Sequence, residues 1–263
     1  MIRLLKNFLF GVCFLSMVLV PNYASAETIN MTEIMFNDIQ KIFGDPSESI
    51  STKIQNADAE ISKNPRDAKA YITRGFCYII ENNLDQSFAD FDKVIELNPE
   101  LSSLRNAYIG RGYAFLLKEN YDQAIRDFNS AFELTDEDDL KPWIYSMRAT
   151  AYNQLEDYDQ AIQDYSAAIQ IEPNNSMLYA SRVISYLYNG DFELALRDCN
   201  KAILLAGSNF EASYAYLMRG SVYATKNELD RAEADFQKAL EITPDSETVK
   251  MLVALFHQAR DDQ

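Results

Sequence analysis

The sequence predicts an all-α fold, an α-solenoid assembled from stacked helical hairpins, and three observations lead there. YDQAIRDFNSAFEL (Tyr121 to Leu134) is nearly repeated thirty-seven residues later as YDQAIQDYSAAIQI (Tyr158 to Ile171). An arginine recurs at Arg74, Arg111, Arg148, Arg182 and Arg219, at spacings of 37, 37, 34 and 37. Each arginine sits in the same frame. A tyrosine stands three residues before it (Tyr71, Tyr108, Tyr145, Tyr179, Tyr216), and a mostly small residue follows it (Gly75, Gly112, Ala149, Val183, Gly220). An aromatic comes four residues after it (Tyr78, Phe115, Tyr152, Tyr186, Tyr223). These positions fall at i, i+4 and i+7, one stripe of a helix.

A second helix follows each first one across a polar turn. Asn83, Asn120, Asp157, Asp191 and Glu228 occupy the turn, and Asp85, Asp122, Asp159, Glu193 and Asp230 come two residues later. Acceptors and acids there suit a helix start, where unpaired N–H groups and the positive dipole end need partners. The second helix carries Ser87, Ala124, Ala161, Ala195 and Ala232, then Phe91, Phe128, Tyr165, Cys199 and Phe236, then Val94, Ala131, Ala168, Ala202 and Ala239. Small residues let two backbones approach and aromatics fill the gaps beside them. Pro99, Pro173 and Pro244 stop three of these helices, with Asp136 and Gly207 at the matching place in the others.

This pattern resembles the tetratricopeptide repeat (TPR) family, W-x2-L-G-x2-Y…A-x3-F…P on a helix–turn–helix of 34 residues. The match covers five repeats, 68–101, 105–138, 142–175, 176–209 and 213–246, with Tyr in place of the family's Trp and Arg in place of its Leu. Three junctions carry three extra residues, close to one helical turn. The resemblance implies a right-handed solenoid of hairpins that cannot bury their faces singly and therefore stack. Residues 27–67 read as an N-terminal helical segment with a degenerate half-repeat, in which Ile54, Ala57 and Ile61 precede Pro65. Within it, Ile34, Phe36, Ile39, Ile42 and Phe43 suggest a short helix that caps the first repeat or docks elsewhere. Residues 247–263 read as a C-terminal capping helix and tail, with Val249, Leu252, Val253 and Phe256 on one face.

Residues 1–26 have a different composition. Arg3 and Lys6 precede an apolar run from Phe8 to Val20, broken by Pro21 and followed by Ala24-Ser25-Ala26. That is the pattern of a secretory signal peptide cut after Ala26, rather than of a retained anchor, because the run is short of the ~20 residues of a spanning helix. The expected address is periplasmic or secreted. A bacterial periplasm fits Ala24-Ser25-Ala26, while the N-x-S/T sites at Asn30 and Asn174 leave an endoplasmic reticulum lumen open.

The 263 residues are 48% hydrophobic and carry a formal net charge of −16, which becomes −18 once Arg3 and Lys6 are removed. That balance argues against nucleic acid and against anionic membrane surfaces as partners. Cys77 and Cys199 are too few for a disulfide framework and read as small core residues. Signs of catalysis are weak. His257 reads as a cap residue, and Gly110-Arg111-Gly112 is a G-x-G inside a helix, without its third glycine. Asp136-Glu137-Asp138-Asp139 lacks the spacing of a calcium loop. No cofactor or metal is expected, and the chain is read as a non-enzyme.

Every recurring arginine has an aspartate sixteen residues on: Asp90, Asp127, Asp164, Asp198 and Asp235. These read as structural bridges between helices rather than as a grip for an acidic ligand. In a partly buried pair, deleting one partner costs ~3–5 kcal/mol, against ~0–1 for an exposed pair.

The resemblance directs binding to the concave surface lined by the first helices. The stripe one residue ahead of the packing stripe, rotated ~100° toward that surface, gives the candidate groove. It comprises Ile72, Phe76, Ile79, Ile109, Tyr113, Leu116, Asn153, Ile184 and Leu187, with Trp143 at its lip as an anchor or as a cover for the junction. Repeat three turns polar at Ser146, Thr150 and Asn153. Some TPR proteins hold a carboxylate there with a Lys/Asn clamp; Ile72 and Phe76 stand at its first positions, so that ligand is not expected. The expected function is a protein–protein interaction scaffold or adaptor that binds a peptide or helix of an exported or envelope protein, with self-association open. A holdase-like carrier of apolar segments, and an accessory subunit or small-ligand protein, are the alternatives.

Overall fold

A computed structural model describes residues 48–135 and 140–261. Every regular element among them is an α-helix. The chain divides between Leu155 and Glu156 into two compact units. The N-terminal unit contains α1 (Ile50–Lys63), α2 (Ala68–Ile80), α3 (Leu84–Leu97), α4 (Leu101–Leu117), α5 (Tyr121–Glu133) and α6 (Lys141–Gln154). The C-terminal unit contains α7 (Tyr158–Ile171), α8 (Ser176–Asn189), α9 (Phe192–Leu205), α10 (Asn209–Thr225), α11 (Leu229–Ile242) and α12 (Glu247–Asp261). Residues 1–26, expected to be a signal peptide, the apolar segment around Ile34 to Phe43 and the acidic run 136–139 lie outside the described residues.

In the N-terminal unit α2–α3 and α4–α5 are antiparallel hairpins, α1 packs on α2, α3 on α4, and α5 on α6. The C-terminal unit repeats the scheme with hairpins α8–α9 and α10–α11, α7 packed on α8, α9 on α10 and α12 on α11. Successive first helices also touch within each unit, α2 with α4, α4 with α6 and α8 with α10. Two of the junctions with three extra residues extend the first helix backward: α4 and α10 each have 17 residues, against 13 in α2 and 14 in α8.

The hairpin turn is the same in every copy. The residue just before the second helix's N-cap is left-handed: Asn82, Glu119, Glu156, Gly190 and Asn227, with φ of 57, 58, 60, 87 and 62°. Where the turn lies within one unit, the N-cap amide donates to the carbonyl of the recurring aromatic, from Asn83 to Tyr78, Asn120 to Phe115, Asp191 to Tyr186 and Glu228 to Tyr223. These bonds close the first helix as a Schellman motif does. The polar residues expected at the second helix's start are its N-caps, but only Asn120 and Asp157 accept a hydrogen bond from the first turn; Asn83, Asp191 and Glu228 do not.

Packing follows the small-and-large alternation. Phe91, Phe128 and Phe236 are buried against Gly75, Gly112 and Gly220, where a Cβ would press into the ring. Gly110 is tighter still, because a Cβ there would overlap the Phe91 ring of the preceding hairpin. At the C-terminal end Val249, Val253 and Phe256 are buried, and Phe256 meets Phe236 at 4.8 Å between ring centroids.

We expect Gly110→Ala to lower the free energy of urea unfolding by about 1–3 kcal/mol, the usual cost of overpacking. Gly207→Ala, where nothing lies within 4 Å of the added Cβ, should stay within about 0.5 kcal/mol of the parent. Equal effects at the two sites would contradict the packing described.

Candidate functional site

The recurring arginines face the protein. In four hairpins Nε and Nη2 donate together to both oxygens of the aspartate sixteen residues on. The distances are 2.9 and 2.6 Å from Arg74 to Asp90, and 2.7 and 2.8 Å from Arg111 to Asp127. They are 2.7 and 2.9 Å from Arg182 to Asp198, and 2.8 and 2.7 Å from Arg219 to Asp235. Arg148 and Asp164 fall one in each unit.

The third guanidinium nitrogen reaches back to the preceding second helix, and only the structure shows this. Nη1 donates to Asp58 from Arg74, Asp92 from Arg111, Asn129 from Arg148, Ser166 from Arg182 and Asn200 from Arg219, at 2.6–2.8 Å. The acceptor lies sixteen residues back where the repeat spacing is 34 and nineteen back where it is 37, so the same site on the preceding helix is used each time. Asp58 on α1 fills this site for the first hairpin. The guanidinium planes also lie near the tyrosines three residues before them, 5.2–5.9 Å from the ring centres.

The aspartates are buried and the arginines about a fifth exposed. Bonding to Asp90 and Asp127 raises Arg74 and Arg111 above the usual arginine range. Burial pushes the Asp90 and Asp198 carboxyls up, against the pull of their guanidinium partners. The pairs are therefore desolvated, and their value depends on both members being present.

Of the stripe assigned to the groove, Ile72, Phe76, Ile79, Ile109, Tyr113, Leu116 and Asn153 in the N-terminal unit are buried, as are Ile184 and Leu187 in the C-terminal unit. Phe76 packs edge-on against Phe91 at 5.2 Å. Burial raises the Tyr113 hydroxyl's pKa. Trp143 is half-buried and meets Phe128 of the preceding hairpin edge-on at 6.2 Å, while its Nε1 is buried with no acceptor.

Cys77 and Cys199 are buried and free. Burial pushes the Cys77 thiol up to about 11 and raises Cys199 as well, which disfavours the reactive thiolate. Among the described residues no group of His, Cys, Asp and Glu is arranged to hold a metal ion, and no helix is long and apolar enough to cross a membrane. His257 ties α12 to α11, its Nε2 lying 2.9 and 3.0 Å from the Glu233 carboxylate, which also accepts from Arg260 at 3.0 Å.

Tetratricopeptide repeat models match residues 68–101, 142–175 and 181–247, together about half of the chain. The unmatched stretch between the first two is occupied by the hairpin α4–α5, built on the same arginine frame. The chain belongs to the tetratricopeptide repeat family. Solved structures agree. YrrB, described as a TPR protein with an unusual peptide-binding site, is 24% identical over 74% of this chain and 96% of its own, with a TM-score of 0.55. BtubC from P. vanneervenii is 15% identical over 73% and 87%, with a TM-score of 0.61. A chain of the APC/C hetero-tetramer Cut9–Hcn1 is 17% identical over 89% and 46%, with a TM-score of 0.64. At these identities the likeness is one of fold. No curated protein sequence matches the chain.

The cap latch carries a pH dependence. Burial opposes it, but hydrogen bonds from Gln237 and His257 hold Glu233 below the usual carboxylate range. A depressed carboxyl stabilises above its unfolded pKa, and that contribution is lost as pH falls through the folded value. Hydrogen-exchange protection of α12 should therefore fall below about pH 4.3 ahead of that of α10 and α11. In Glu233→Gln it should already be low at neutral pH and should change little on acidification.

Proposed function

We propose that the protein is a non-catalytic interaction scaffold or adaptor that takes a peptide or helix of another protein on the first-helix face of its N-terminal unit. The observation that carries this reading is the continuous set of large apolar side chains on two touching helices, Ile72, Phe76 and Ile79 on α2 and Ile109, Tyr113 and Leu116 on α4. Apolar anchors at i, i+4 and i+7 on neighbouring rods suit the apolar face of an amphipathic segment, and aromatics there supply most of the binding energy. Ser146, Thr150 and Asn153 on α6 place polar groups beside that surface. The family supports the class of function, and YrrB, a protein of the same fold, has a peptide-binding site.

The signal-peptide pattern of residues 1–26 supports export and hence an exported or envelope partner, and the net acidic charge suits one with basic patches. The test is a photo-crosslinking residue at position 113 of the full chain in native cells, with position 204 as control, since Leu204 is 77% exposed on α9. One discrete protein adduct from position 113, absent from position 204, is the expected result. The same set of adducts from both positions, or none from position 113, would overturn it. Many weak adducts from position 113 alone would move the reading to a holdase.

A further inference from the structure

The cap helix α12 stands where a sixth first helix would stand. Thirty-four residues separate Ser213, Leu217, Gly220 and Ala224 on α10 from Glu247, Met251, Ala254 and Gln258 on α12. Each set lies at i, i+4, i+7 and i+11, one straight seam of a helix. On α10 the seam is buried, and α11 covers it. Ser213 donates to the Ala239 carbonyl at 3.2 Å, and a Cβ on Gly220 would come within 2.8 Å of the Phe236 ring. On α12 the same seam is open. All four of its residues are exposed, Met251 by 47%, and Leu255 beside them is 36% exposed. A polar outer face is what ends a repeat array in solution. This one instead carries two large apolar side chains around a small one.

We propose that this seam docks a second copy of the chain, the two α12 helices lying antiparallel about a two-fold axis. The seam is complementary to itself in a single register. The antiparallel offset that sets Met251 over Ala254 of the second copy also sets Glu247 beside Gln258 of the second copy, because the two pairs share one midpoint along the helix. Large then meets small, and a carboxylate meets an amide that donates to it. The two-fold axis makes each pair twice. In a parallel pair every residue would face its own copy, Glu247 against Glu247. Charge points to the same occupant. Glu247 pairs with Lys250 at 2.8 Å and Arg260 with Glu233 at 3.0 Å, so the charges of the face are balanced within the chain. Two copies of a chain of net charge −16 repel one another, and here they meet without an unbalanced like charge. A basic partner, by contrast, finds no excess of acid on this face. The surface belongs to the C-terminal unit and is independent of the partner face proposed on α2 and α4.

Sedimentation equilibrium of the full chain is the test. The apparent mass should rise from that of one chain toward that of two as the concentration is raised. Ala254→Glu, which puts a charge into the seam, should lower the association constant about tenfold or more. Ala234→Glu adds the same charge at an exposed position of α11 and should change it less than about twofold. A second pair of changes reads the register. Gln258→Glu should weaken the dimer about tenfold, because two carboxylates then meet, and Glu247→Lys added to it should restore the dimer. If Ala254→Glu loses helix content, the Gln258→Glu series is read by the same criterion. A single chain at every concentration would overturn the inference and leave the seam to a helix of another protein. A dimer that Ala254→Glu and Ala234→Glu weaken equally, or that Glu247→Lys fails to restore, would overturn it as well.

Discussion

The fold depends on one guanidinium used three times over. Arg74, Arg111, Arg182 and Arg219 each hold their own hairpin closed through a two-pronged bond to the aspartate of the second helix. With the remaining nitrogen each arginine of the series draws in the preceding second helix. Hairpin closure and hairpin stacking thus share a single side chain. The planar fork of arginine suits that role, since it presents donors in fixed directions that a lysine would not. Where the family pattern has a leucine, this chain has a charge, and the matching aspartate sixteen residues on keeps that charge from being buried alone.

Spacing, glycines and turns follow from that constraint. Three additional residues between repeats leave the backward acceptor at the same site on the preceding helix, as at Arg148, where α6 keeps 14 residues and Asn129 is nineteen back. In α4 and α10 they extend the first helix by about that amount, and the acceptor moves from sixteen to nineteen residues back. The glycines beside Phe91, Phe128 and Phe236 let the helices approach closely enough for the bridges to form. The Schellman turn then returns the chain antiparallel in the four hairpins that lie within one unit.

Much of this was legible in the sequence because it repeats. The arginine frame, the aspartate at sixteen, the polar residues at the second-helix starts and the small–aromatic alternation all show as periodic residues; the structure pairs four of the arginines with their aspartates and gives two of the five N-caps a side-chain bond. Other features left little trace. The left-handed turn residue is an asparagine or glycine at Asn82, Gly190 and Asn227, which signals it, but a glutamate at Glu119 and Glu156, which does not. The Nη1 acceptor varies among Asp, Asn and Ser, so no single residue type marks it. The burial of Phe76 and Tyr113 was illegible for a different reason. A stripe on one helix shows which way it faces, but not how closely its neighbours pack around it.

The central claim is that the arginine and its aspartate work as one buried unit. A double-mutant cycle on Arg111→Met and Asp127→Asn, followed by urea unfolding, tests it directly, with the exposed Lys118–Asp85 pair as reference. For Arg111–Asp127 the account predicts a coupling of about 1.5–3 kcal/mol, with each single substitution costing more than the reference pair's. For Lys118–Asp85 it predicts less than about 1 kcal/mol. Additive effects at Arg111 and Asp127, within about 0.5 kcal/mol, would contradict it.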